Sequence, residues 1–73
     1  MRVELVGRRG CHLCDEALDQ LRQIGVEPER RDVDEDESLF RLYDFRVPVV
    51  LVDGIVVAEG RVTRESLRRA LGA

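Results

Sequence analysis

The chain has only two cysteines, Cys11 and Cys14, in the run Gly7-Arg8-Arg9-Gly10-Cys11-His12-Leu13-Cys14, directly after a strand-like segment and directly before a helix-like one. This feature constrains the fold more than any other. A C-x-x-C between a strand and a helix in a small α/β chain reads as a dithiol redox site, and it requires a strand, a tight loop and a helix start in that order. With Cys11 opening the helix, its sulfur lies beside unpaired backbone N–H groups and the positive end of the helix dipole. Both favour thiolate over thiol. Cys14 follows one turn later on the same face. That spacing is compatible with a disulfide, whose Cα atoms lie about 4.4–6.8 Å apart. One sulfur can attack and the other can close the ring.

Size and charge narrow the classes further. At 73 residues the chain reads as one domain, residues 1–73, and a domain of this size buries only about 60% of the surface its unfolded form exposes. No apolar run of about 20 residues is present, so no transmembrane helix is expected. Met1 leads straight into a strand without a charged-then-apolar leader, so no secretory signal is expected and the cytoplasm is the expected compartment. There, closely spaced cysteines are more often catalytic or metal-binding than structural. A loop this short also leaves a purely structural disulfide little to stabilise. The net charge of −3 argues against nucleic-acid and membrane-surface binding. The charge is uneven, with an acidic stretch from Glu27 to Glu37 and a tail carrying Arg61, Arg64, Arg68 and Arg69. Both blocks read first as solvated surface and second as features that steer a partner protein. All 12 basic side chains are arginine.

Periodicity supplies the order of elements. Met1 to Val6 reads as a short strand and Gly7 to Gly10 as a loop. From Cys11 to Ile24, Leu13, Ala17, Leu18, Leu21 and Ile24 recur at helical spacing. Gly25 is placed to cap that helix in the left-handed region, and Pro28 prevents its resumption. A strand is expected around Arg30 to Val33, although only Val33 is apolar there. Asp34 or Asp36 can cap a short helix through Leu39, Phe40, Leu42 and Tyr43. Phe40 is expected in the core, and Tyr43 and Phe45 at the sheet edge. Val47 to Val52 reads as a buried strand, Asp53-Gly54 as a two-residue hairpin turn, and Ile55 to Ala58 as the returning strand. Thr63 then caps a last helix that buries Leu67, Ala70 and Leu71. A right-handed βαβ crossover makes the first two strands parallel, the last two pair antiparallel, and helices cover both faces of a mixed sheet.

Gly10-Cys11-His12-Leu13-Cys14 after the first strand, Arg46-Val47-Pro48 opening the third, Asp53-Gly54 between the last two and Glu59-Gly60 before the final helix occur in the order and spacing of the glutaredoxins. Over essentially its whole length the chain resembles that family, and most of all the short bacterial glutaredoxin-like proteins with a C-x-L-C site. The resemblance implies a thioredoxin-like, glutaredoxin-type α/β fold, βαβαββα, with a four-stranded mixed sheet. It matches Cys11 to the nucleophile and Cys14 to the resolving cysteine. It matches Val47-Pro48 to a cis Val-Pro peptide beside the cysteines, where proline offers no N–H and the Val47 backbone can pair with an extended substrate. It matches Arg8 to a basic residue that contacts the glutathione carboxylate and supports the thiolate, with surface charge as the alternative. Gly60 falls at the glycine step that borders the glutathione site. His12, between the cysteines, would favour the Cys11 thiolate as a cation, while Asp15 and Glu16 oppose a thiolate on Cys14 more than on Cys11.

The chain also departs from the family pattern. His12-Leu13 replaces the common Pro-Tyr, and Arg61-Val62-Thr63 stands where glutaredoxins carry the acidic residues that hold the glutathione amine. The residues of disulfide exchange stay in place while those of a glutathione groove are thinned. With no tryptophan, the chain does not match a true thioredoxin.

The expected activity is therefore thiol–disulfide exchange on protein or small-molecule disulfides by a monomer. Glutathione is the expected co-substrate or reductant, or a thioredoxin-reductase-like protein takes that role, and no other cofactor is expected. A potential of roughly −270 to −200 mV, between those of thioredoxin and glutaredoxin, is expected. The alternative is a metal or iron–sulfur module built from the same cysteines in a dimer, since one chain has too few ligands for a closed site.

Overall fold

In the computed structural model, which describes residues 1–72, four strands form one sheet in the order β2-β1-β3-β4. β1 (Val3–Gly7) and β2 (Glu29–Asp32) are parallel and joined by α1 (His12–Gln23). A single 3-10 turn (Val33–Glu35) and α2 (Glu37–Tyr43) lead to β3 (Val49–Val52), which runs antiparallel to β1. β4 (Ile55–Glu59) returns antiparallel to β3, and α3 (Arg64–Leu71) follows. This is the thioredoxin-like βαβαββα arrangement expected from the sequence.

The sheet separates two apolar layers because successive strand side chains alternate faces. On one face Leu5 and its register partner Val50 pack with Ala17, Leu18 and Leu21 of α1, with Val62 and with Leu67 of α3. On the other, Val6, Val49 and Leu51 pack with Val33 and Tyr43. No charged or polar residue is buried among the described residues. Helices therefore cover both faces, α1 and α3 together and α2 alone. No helix among the described residues is long and apolar enough to cross a membrane.

Local chemistry fixes the ends. Gly25 follows α1 at φ +81°, and Asp53 and Gly54 turn the β3–β4 hairpin with φ of +50° and +84°. Both turn residues lie in the left-handed region that a primed two-residue turn requires, which Asp-Gly adopts readily. Asp36 caps α2 by accepting the Leu39 N–H, and Thr63 caps α3 in a reciprocal box with Ser66. In β4 the pairing shifts between Val50 and Leu51, so Val57 is the extra residue of a bulge.

Three expectations are corrected. Phe40 is 44% exposed and not core. α2 makes only two turns, and its inward stripe consists of Leu39 and Tyr43, four residues apart. Tyr43 lies in the core rather than at a sheet edge, whereas Phe45 is 98% exposed. β3 starts at Val49 rather than Val47, because Pro48 has no N–H for a ladder and the Val47 N–H donates to the Tyr43 carbonyl at 3.2 Å.

Candidate active site

The two cysteines are joined at the start of α1, with Cα atoms 5.2 Å apart. Cys11 is the N-cap, with extended backbone (φ −94°, ψ 107°), and Gly10 before it adopts φ +71° to turn the loop into the helix. The Cys11 sulfur accepts the Cys14 N–H at 3.1 Å, so it stands among the unpaired amides of the first turn. Cys11 is half-buried, whereas Cys14 is only 6% exposed. The two cysteines are thus unequal in access, and the outer one stands at the helix N-terminus.

Gly7, the last residue of β1, seats the inner cysteine. A Cβ on Gly7 would lie 3.1 Å from Cys14 Cβ and 3.2 Å from its sulfur. Gly7→Ala is expected to destabilise the protein by about 1–3 kcal/mol, the usual range for overpacking, and to displace Cys14 and so slow its closure with Cys11. Thermal unfolding checks the first effect and the rate of intramolecular disulfide closure the second. A variant as stable as wild type that closes as fast would show that the space is not constrained.

Arg8 lies in a different setting from the one expected. Its Nε and Nη2 donate to Asp34 at 3.1 and 2.7 Å, Nη2 donates to the Asp44 carboxylate at 2.7 Å, and Nη1 donates to the Asp44 carbonyl at 3.1 Å. Four of its five N–H donors are engaged inside the protein, so its guanidinium is committed to the fold rather than open to a ligand carboxylate. It ties the loop before Cys11 to the 3-10 turn after β2 and to the end of α2. Nothing in the sequence marked Asp34 or Asp44 as its partners. The parallel pairing expected of the first two strands brings Asp34, just past β2, to the same end of the sheet as Arg8, just past β1; Asp44 comes there through the antiparallel β1–β3 pairing, which only the fold shows.

The other expected site residues gather at that end. The register Val6↔Val49 places Pro48 opposite Gly7, one strand away. The Val47–Pro48 peptide is cis, as the resemblance implied. The Val47 backbone is only half available, since its N–H is taken by Tyr43; no donor among the described residues reaches its carbonyl. Gly60 (φ +69°) donates its N–H to the Pro48 carbonyl at 2.9 Å, which ties the end of β4 to this corner. His12 is exposed, and its Nε2 lies 3.9 Å from Glu16, one helical turn on, a loose contact with a carboxylate that the sequence reading did not assign to it. Arg46, next to Val47, hydrogen-bonds Glu59 at 2.5 Å and lies 5.2 Å over the Tyr43 ring. Among the described residues no group of three or more His, Cys, Asp or Glu side chains could hold a metal ion.

Arginine pairing also sets the acid response. Asp34, Glu27, Glu29 and Glu59 all titrate below their ordinary values, each chiefly through a hydrogen bond from an arginine: Arg8, Arg22, Arg2 and Arg46 respectively. A carboxyl whose folded value lies below its unfolded one contributes stability that is present above the unfolded value and lost as pH falls through the folded one. The Tm is therefore expected to fall once the pH drops below the ordinary values of 4.5 and 3.8. The fall should be smaller in high salt because these pairs are exposed. A Tm that rises on acidification below pH 4.5 would contradict the assignment.

Sheet order, helices on both faces and a cysteine pair in disulfide contact at the first helix start define a thioredoxin-fold protein, and they support a redox function. Within that class the chain belongs to the glutaredoxin-like family: the family model described as "Glutaredoxin-like domain (DUF836)" matches residues 2–72. No curated protein matches the chain. Among solved structures it is similar to the structural-genomics target protein XcR50 from X. campestris, at 30% identity and a TM-score of 0.86 over 96% of this chain and 95% of that one. It is also similar to the thioredoxin-like protein BC3987, at 31% identity and a TM-score of 0.76 over 96% of this chain and 100% of that one. A glutaredoxin from Archaeoglobus fulgidus shares the fold, at 22% identity and a TM-score of 0.73 over 99% of this chain and 87% of that one.

Proposed function

We propose that the protein is a thiol–disulfide oxidoreductase in which Cys11 attacks and Cys14 resolves. The observation that carries this reading is the unequal pair: a half-buried Cys11 at the helix N-cap, with a buried Cys14 in bonding reach behind it. The helix N-terminus favours the Cys11 thiolate. That thiolate attacks one sulfur of a substrate disulfide. The substrate S–S bond breaks, a Cys11–substrate disulfide forms, and the other substrate sulfur leaves as a thiolate that takes a proton from water. Cys14 then loses its proton and attacks the Cys11 sulfur. The Cys11–Cys14 bond forms and the second substrate thiol departs. Two electrons pass from the dithiol to the substrate. Glutathione or a thioredoxin-reductase-like protein returns them, and assays with each reductant in turn distinguish the two.

The test is a single turnover. Reduced protein mixed with an excess of an oxidised protein substrate is expected to end with the Cys11–Cys14 disulfide formed and one substrate disulfide reduced per chain, counted by mass after acid quench. A dithiol left reduced by a range of protein and small disulfides would end the reading.

A further inference from the structure

We infer that the substrate disulfide belongs to a polypeptide with an apolar side chain next to its reacting cysteine, and that Phe45 is the residue that selects it. This rests on the reading of Cys11 as the attacking thiolate and adds the class of substrate.

The first observation is where apolar surface is left exposed. Five large hydrophobic residues are exposed among those described, and Phe40, Leu42 and Phe45 lie within the seven residues, 40–46, that lead to the cis Val47–Pro48 peptide. Phe45 is the extreme, at 98% exposed. Isolated exposed hydrophobics are ordinary; Phe45 is set apart by its near-complete exposure two residues before the cis peptide.

The second observation is that both neighbours of Phe45 are fixed. The Asp44 N–H donates to the Phe40 carbonyl at 3.1 Å, and its carboxylate and carbonyl are both held by Arg8. The Arg46 N–H donates to the Tyr43 carbonyl at 2.9 Å, and its guanidinium is held by Glu59 over the Tyr43 ring. The chain on either side is tied down while the ring between is left in water. Arg8 stands three residues before Cys11, so the tie that fixes Asp44 also links it to the cysteine loop. Phe45 is three residues from Pro48, within about 10 Å along the chain, and Pro48 sits one strand from Gly7.

The third observation is what the corner offers to a ligand. Arg8 is committed to Asp34 and Asp44. Past Gly60 the chain offers Arg61-Val62-Thr63 and no carboxylate, and the Thr63 hydroxyl caps α3. Neither a free Arg8 guanidinium nor a carboxylate within Arg61-Val62-Thr63 is offered to a small charged thiol here. An extended polypeptide finds an unpaired Val47 carbonyl for its backbone and an aromatic ring for the side chain beside its cysteine, the combination used in strand-addition recognition.

The test uses two disulfide-linked peptides that differ only in leucine or serine next to the reacting cysteine, with rates measured in single turnovers of the reduced protein. Wild type is expected to prefer the leucine peptide by about tenfold or more, the scale of burying one leucine side chain, and Phe45→Ser should reduce that ratio to about one. Ile55→Ser removes another exposed apolar side chain, at the far end of the sheet beside the β3–β4 turn, and should keep the wild-type ratio. A wild-type ratio of one, or a ratio that survives Phe45→Ser, overturns the inference while leaving the oxidoreductase reading intact. A wild-type protein that reduces neither peptide removes both.

Discussion

Cys11→Ser is expected to abolish disulfide reduction, with a loss of about 10³-fold or more, the scale seen when an enzyme loses its nucleophile. Cys14→Ser is expected to behave differently. The first attack survives because Cys11 keeps its place at the helix N-cap, but the mixed disulfide has no internal thiol to resolve it and accumulates. Intact mass measurement after incubation with an oxidised substrate separates the two: a covalent adduct on Cys14→Ser and none on Cys11→Ser. The reverse pattern would make the buried cysteine the attacker and would be incompatible with its 6% exposure.

Leu21→Ala is the stability change with the largest expected effect. Leu21 is fully buried, in the cluster where α1 meets Leu5, Val50 and Leu67. Truncating such a leucine costs about 2–5 kcal/mol through lost transfer energy and the cavity left behind. Stabilities of roughly 0.05–0.15 kcal/mol per residue leave a chain this short little in reserve. At about 4–8 °C per kcal/mol for a small domain, the Tm should fall by more than about 10 °C, read by circular dichroism. A fall of only a degree or two would show that α1 and α3 do not close on the sheet as described.

The parts of the fold legible in the sequence are those where one local rule decides. The spacing of Ala17, Leu18 and Leu21 permits only a helix with that face inward, and Asp53-Gly54 permits only a tight hairpin. The cysteine pair after a strand marked where the candidate site lies, at the start of the first helix. β2, expected around Arg30 to Val33 and found at Glu29–Asp32, carries no apolar residue, so pattern alone supports it weakly. It is a strand because β1 supplies a parallel partner and because Arg31 reaches Glu4 across the pair at 3.1 Å. Its charges suit an outer strand, where they discourage further pairing. Phe40 looked like core because aromatic residues usually are, but a two-turn helix has one inward stripe and Leu39 and Tyr43 fill it. Arg8 was matched to a ligand role by position alone. Its two aspartate partners lie 26 and 36 residues away and meet it only when the sheet is assembled. The Val47 N–H was likewise expected to be free, and only the fold shows it turned back onto Tyr43.

The central claim is that Cys11 is the accessible thiolate and Cys14 the sheltered partner. Alkylation of the fully reduced protein by iodoacetamide across a range of pH, with the modified cysteine located by peptide mass, tests it most directly. Cys11 is expected to be labelled first and to react well below the ordinary thiol value of about 8.5, with Cys14 protected until the protein unfolds. Equal labelling of the two, or a Cys11 that stays unreactive until the pH passes that value, would contradict the claim.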